Sequence, residues 1–224
     1  MSGAVASEFC RFSGDDAAAL ACLVWRLGAP LRVASTAPFG GGIGRRDWVL
    51  NMQVPKKYAR RDTEAHVAEV ACVLDLAGRG VGMLTAADVA RVSVCEEEPG
   101  VRVEATVGLS LPVWAAAPHD ARAREEARLP GTINVVAFVP IAHSDAALAN
   151  LLCTVTEAKA QALADGGVPG TGTASDAVAV LCPCPEGGET DEPVERFGGP
   201  RSMYGAPLAR AVYGALRVGM ETWA

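Results

Sequence analysis

The sequence predicts an α+β fold with α/β-type layers: a mixed, largely antiparallel sheet covered by about three main helices, in one domain over residues 1–224. Three observations carry this expectation. Apolar segments of strand length outnumber segments with helical periodicity. Val101–Leu109 alternates apolar and polar residues, as a half-buried antiparallel strand does. Gly131–Pro183 runs as strand, long helix, turn and second strand. With 50% hydrophobic and 5% aromatic content, 224 residues can build a full core from small side chains.

Each element has its own warrant. Ala18–Leu27 and Leu31–Thr36 are expected as two apolar strands parted by a turn at Gly28-Ala29-Pro30. A glycine run at Gly40–Gly44 leads to a third strand over Trp48–Val54. Asp62 or Thr63 caps a helix whose Val67, Val70, Ala71 and Leu74 recur at the helical period, and Gly78 and Gly80 stop it. Val92–Cys95 and Val101–Leu109 form a hairpin through Pro99-Gly100. Ala115–Pro130 is a charged connection, followed by a buried strand in GTINVVAFVP. The helix from Ser144 to Asp165 turns Leu148, Leu151, Leu152, Val155, Ala158, Ala162 and Leu163 to the core. Beside them Asn150, Thr154, Glu157 and Gln161 make a polar stripe with one carboxylate, which suits a polar, partly enclosed ligand. GTGTASDA then turns into the strand AVAVLCP, Pro185–Arg201 is expected as a mobile loop, and a last helix begins near Tyr204 with Leu208, Val212, Tyr213 and Leu216 on one face.

Charge and composition exclude several classes. The net charge is −6 and basic residues occur in no more than short pairs such as Arg45-Arg46 and Lys56-Lys57. No nucleic-acid partner is expected from that pattern. The N-terminus lacks a signal-peptide pattern, and no span approaches the roughly 20 apolar residues that cross a bilayer. No membrane role and a cytoplasmic location are the expectation. Seven cysteines do not suggest a disulfide framework; Cys22, Cys72 and Cys153 sit in apolar runs as small hydrophobes. Cys182-x-Cys184 has poor zinc spacing, so no metal is expected. His66, His119 and His143 are scattered and expected in solvent.

Two segments remain as candidate sites. Gly40–Gly44 lacks both the P-loop and the dinucleotide pattern. It is either a flexible connection or a place where backbone approaches a bulky ligand closely. GTGTASDA gathers Thr171, Thr173 and Ser175 beside Asp176, with Thr156 on the preceding helix. It is either a turn that bonds its own backbone, or one that presents hydroxyls and a carboxylate beside Glu157 and Lys159.

The motifs ST-P-GGG-G, VLNMQVP-Y, GVGMLTAADV, VEATVGL-PVWA, GTIN, TEAKAQAL, GTGTASDAV and GPRS-YG-LARAV occur in this order between about Leu31 and Val218. In this order they resemble the adenosylcobinamide amidohydrolases. The resemblance implies hydrolysis of the amide that joins the aminopropanol arm to the corrin ring, giving adenosylcobyric acid and 1-amino-2-propanol for corrinoid salvage. The corrinoid would be substrate, with no further cofactor required, and a homo-oligomer is compatible with the sequence. Uncharged groups suit its amide-rimmed ring: Asn51, Thr85, Asn134, Asn150, Thr154 and Ser175, with Gly40, Gly41 and Gly42 allowing close approach. Amide hydrolysis needs an activated nucleophile, oxyanion stabilisation and a proton for the leaving amine. Glu157 or Asp176 is the expected base for water, with Lys159 or the backbone N–H groups of 171–173 at the oxyanion. The competing expectation is a covalent nucleophile at Thr173, Ser175 or Thr132, including self-cleavage at Gly131-Thr132. A corrinoid-binding module without catalysis, or an amidase for another substrate, are the other readings.

Overall fold

The computed structural model of the chain describes residues 5–13, 19–118, 131–185 and 194–223. Most of the Ala115–Pro130 connection, with His119, and residues 186–193 of the expected loop lie outside the described residues. The strands are β1 (Glu8–Ser13), β2 (Ala19–Ser35), β3 (Gly42–Gln53), β4 (Gly80–Thr85), β5 (Ser93–Glu97), β6 (Val101–Val107), β7 (Ile133–Phe138) and β8 (Ala177–Cys182). The helices are α1 (Thr63–Val73), α2 (Asp145–Asp165) and α3 (Gly205–Trp223). The sheet order is β4-β3-β2-β8-β7-β6-β5, with β1 added to β2. Only β3–β4 and β7–β8 are parallel, each pair joined through a helix. The predicted mixed, largely antiparallel sheet under three helices is what forms.

Several elements differ from expectation. Ala19–Ser35 is one strand, because Gly28-Ala29-Pro30 makes an irregularity between Arg26 and Leu31 and not a turn. That irregularity lets β2 change neighbours: its first half pairs with β1, its second half with β8. Sequence alone gave no signal for β1 or β4. Gly80, expected to stop a helix, is instead the first residue of β4, and a Cβ there would lie 2.0 Å from the Trp48 ring. β3 begins at Gly42, six residues before Trp48, since ladder bonds to β2 need no apolar side chain. Asp62 is the N-cap of α1 but makes no capping bond, because Arg60 holds its carboxylate. Ser144 does cap α2, accepting from the Ala147 N–H at 3.2 Å.

The sheet is folded back on itself. On β7, Ile133, Val135 and Ala137 pack toward α2 and α3, while Val136 and Phe138 pack against Leu23, Trp25, Val49, Val81 and Met83 of the other end of the sheet. α1 covers the outer side of β3 and β4 through Val67, Val70 and Ala71. The layers are therefore helix, half-sheet, half-sheet, helix pair. This explains β6: its alternating residues are not half-exposed, because α3 lies on one side and the opposite half-sheet on the other. Glu104 is buried with bonds from the Ser7 N–H, the Ser7 hydroxyl and Arg102. Thr106 is buried against Asn51.

Candidate active site

Parallel pairing of β7 and β8 places Asn134 opposite Ala177. Two residues back, Thr132 meets Ser175, and their hydroxyl oxygens are 2.9 Å apart. The GTGTASDA turn thereby folds over the start of β7. Asp176 is its anchor. One carboxylate oxygen accepts from the Ile133 N–H at 2.9 Å and the Thr173 hydroxyl at 2.5 Å. The other accepts from the Thr173 N–H at 3.0 Å and from Lys159 Nζ of α2. Lys159 and Asp176 form an ion pair with side chains 9% and 10% exposed. Gly172 passes directly over it: a Cβ there would lie 2.4 Å from Asp176 Oδ2 and 2.6 Å from Lys159 Nζ. The Gly131 carbonyl accepts from Ser175 Oγ at 3.2 Å, and Thr173 Oγ1 lies 2.8 Å from it. The structure thus brings together Lys159, Thr173, Ser175 and Asp176 with Thr132, also a candidate from the sequence, and the Gly131 carbonyl.

Glu157 is not among them. It is exposed and makes no hydrogen bond or ion pair among the described residues. Lys159 and Glu157 are two positions apart on α2, about 200° around the helix, so only one can reach the turn. The expected polar stripe divides likewise. Thr154 is buried and donates to the Gly198 carbonyl at 2.7 Å, whereas Asn150, Glu157 and Gln161 are exposed. Asn150 opens on a surface cleft of about 650 Å³, with Arg196, Phe197, Arg201 and Met203. Nine residues along α2 separate it from Lys159, roughly 13 Å.

The remaining predicted residues fall in two places. Gly40 and Gly41 form the turn between β2 and β3, and Arg46 bonds both of their carbonyls. Gly40 has φ +65, and a Cβ there would lie 1.9 Å from the Gly80 carbonyl oxygen, so close backbone approach is to the chain itself. Gly42 is exposed. This connection leaves the sheet beside the 171–176 turn, because Thr36 exchanges two bonds with Val178. Asn51, Thr85 and Asn134 are each 1% exposed. Asn134 Nδ2 donates to Asn51 Oδ1 at 2.8 Å and the Leu84 carbonyl at 3.1 Å, and Asn51 Nδ2 donates to Thr106 Oγ1 at 3.0 Å. The Thr85 hydroxyl accepts from the Ala87 N–H. Asn51 and Asn134 tie the two half-sheets together beneath Thr132, whereas the Thr85 bond is local.

The histidines and cysteines depart from expectation too. His143 is buried rather than solvated, with Nδ1 bonded to the Ile141 carbonyl, Nε2 without a partner among the described residues and its ring edge-on to Tyr204. His66 stacks on Tyr58 and bonds its hydroxyl. Burial lowers the pKa of both imidazoles. Cys72 and Cys153 are exposed, against expectation, while Cys22 is buried and none of the seven is paired. Burial pushes the thiol of Cys22 up to about 12 and that of Cys182 up to about 11. No group of metal-ligating side chains occurs among the described residues.

Comparison with known proteins gives a concordant result. A family model for adenosylcobinamide amidohydrolase matches residues 11–224. An adenosylcobinamide amidohydrolase of Halobacterium salinarum is 34% identical over 206 residues, covering 89% of this chain and 84% of that protein. One of Methanosarcina mazei is 26% identical over 192 residues, covering 84% and 90% respectively.

Proposed function

The chain belongs to the adenosylcobinamide amidohydrolase family, and on that premise we propose that it cleaves adenosylcobinamide at the amide bearing the aminopropanol arm. Water adds across that bond, the carboxyl stays on the corrin side, and 1-amino-2-propanol leaves. The observation that carries this reading is a family match running from residue 11 to residue 224, through every element of the folded sheet. Salvage of incomplete corrinoids is the fitting role, without a cofactor beyond the substrate and without a nucleic-acid partner. No helix among the described residues is long and apolar enough to cross a membrane; the cytoplasm is the compartment that fits, and self-association is compatible with the fold.

We place the reaction at the turn held by Lys159, Thr173, Ser175 and Asp176. It supplies hydroxyl donors on a rigid mount, which amide hydrolysis uses at the developing oxyanion. Asp176 acts as the clamp of that mount, since four donors already engage its two oxygens. Asn150, Glu157 and the adjoining glycine connection at 40–42 lie on exposed surface, where they are able to meet the amide rim of a corrin. Asn51, Thr85, Asn134 and Thr154 support that surface from within.

The test is direct. The purified chain is incubated with adenosylcobinamide, and adenosylcobyric acid and free 1-amino-2-propanol are sought by chromatography and mass spectrometry. Binding of the corrinoid with the amide left intact would make this a binding module and overturn the proposal.

A further inference from the structure

Two of the three backbone donors expected at the oxyanion are in use, and the third belongs to the buried Gly172. The Thr171 N–H bonds the Val113 carbonyl at 2.9 Å, and the Thr173 N–H bonds Asp176 Oδ2 at 3.0 Å. One step further on, Ala174 and Ser175 are exposed, and their N–H groups have no acceptor among the described residues. Ser175 also carries the exposed hydroxyl of the cluster, whereas Thr132 is 5% exposed.

The protons of the cluster can be followed one by one. Thr132 Oγ1 has Ser175 Oγ as its hydrogen-bond partner among the described residues, so its proton goes to Ser175. Ser175 then holds its own proton over the Gly131 carbonyl at 3.2 Å, a long bond. Thr173 Oγ1 also lies 2.8 Å from that carbonyl, but its one proton is taken by Asp176 Oδ1 at 2.5 Å. Turning the Ser175 proton outward therefore gives up only that long bond in exchange for one to the substrate's oxygen, and the Thr132 bond fixes the direction of that turn.

We infer that Ser175, through its hydroxyl and the adjacent N–H groups of Ala174 and Ser175, is the donor set for the substrate's carbonyl oxygen as it becomes an oxyanion, and that Thr132 is the positioning residue that aims it. The inference rests on the amidase reading above. As a nucleophile adds to the amide carbon, the C=O π pair moves onto oxygen, and donors fixed beforehand stabilise that charge at no reorganisation cost. Collapse of the adduct returns the pair to the C=O bond and expels the amine, so Ser175 neither gains nor loses a covalent bond.

Steady-state kinetics with adenosylcobinamide on the full chain test this. Loss of one such donor lowers kcat by about 10²–10³-fold, so Ser175→Ala should lose that much with KM within about threefold. Thr132→Val should lose about tenfold in kcat at unchanged melting temperature, and Thr132→Ser, which keeps the aiming hydroxyl, should recover it. A Ser175→Ala variant that keeps kcat within about threefold of the parent overturns the inference. So does a covalent adduct on Ser175 seen by mass spectrometry, or a Thr132→Ser variant as slow as Thr132→Val. A parent chain that releases no adenosylcobyric acid at all sinks the amidase reading itself, which is a different result.

Discussion

Asp176 and Glu157 show how differently two carboxylates expected at one site are placed. Asp176 sits on a turn with four donors around it, and its ion pair with Lys159 is almost dry. Removing one member of such a pair leaves the other uncompensated, at a cost on the order of 3–5 kcal/mol. Lys159→Met should therefore lower the urea midpoint markedly, and Asp176→Asn should do so as well, because an amide turns a donor toward Lys159 or Thr173. Glu157→Gln alters an exposed side chain without a partner, and should shift stability by no more than about 0.5 kcal/mol. Equal midpoints for Asp176→Asn and the parent would contradict the clamp assignment. At this scale the sequence was informative about chemistry: GTGTASDA and the TEAK run contain the cluster's side chains. It did not separate Glu157 from Lys159, because which face of α2 meets the turn depends on how the helix lies on the sheet.

At the scale of elements, the starts of α2 and α3 are joined through His143. Its ring lies against Tyr204, just before α3, while the neighbouring Ser144 caps α2 and donates its N–H to the Glu195 carbonyl at 3.0 Å. Nδ1 bonds a carbonyl oxygen, so it carries a proton, and burial of the ring favours the neutral tautomer in the folded form. Burial depresses the imidazole pKa below its ordinary 6.5. The sign follows: as pH falls through 6.5 the unfolded chain takes up a proton that the folded chain refuses. Stability carried by neutral His143 is thus present above that pH and lost progressively below it. His66 is depressed in the same direction and contributes a background of the same sign. His143→Phe keeps a ring against Tyr204 and removes the titration. Its urea midpoint should fall less than the parent's between pH 7 and 5.5; parallel falls would refute the assignment. Sequence patterns located α2 well, since the 3.6-residue period is a local signal. They gave no sign that His143 is buried, because the Glu195 strand bridge and Tyr204 come from more than fifty residues away.

Across the whole molecule, one polar network holds the two half-sheets in register. Asn51 from β3 accepts from Asn134 on β7 and donates to Thr106 on β6, although three strands separate β3 from β6 in the sheet order. Asn51→Leu would leave the Asn134 amide and the Thr106 hydroxyl short of partners in a buried layer. Each orphaned group costs roughly 1–3 kcal/mol, so the variant should unfold at clearly lower urea and lose activity with its fold. Thr106→Val removes one end of the network and should cost less. Asn51→Leu at parental stability would show that the network does not couple the halves.

What the sequence determined by itself follows from short-range physics. The amphipathic helices, the β5–β6 hairpin with Gly100 at φ +91, the apolar β7 and β8, and the motif order that marks the family are all written within windows of a few residues. What only the tertiary structure decided required two distant segments to meet. β1 and β4 become strands because β2 and β3 offer them ladder bonds, and β2 stays continuous because it has a different neighbour on each side of its irregularity. Asn51, Thr85 and Asn134 became interior residues rather than surface groups because the sheet folds over them. Thr132 joined the cluster only through the β7–β8 register, an offset of forty-three residues set by pairing and invisible to any local pattern.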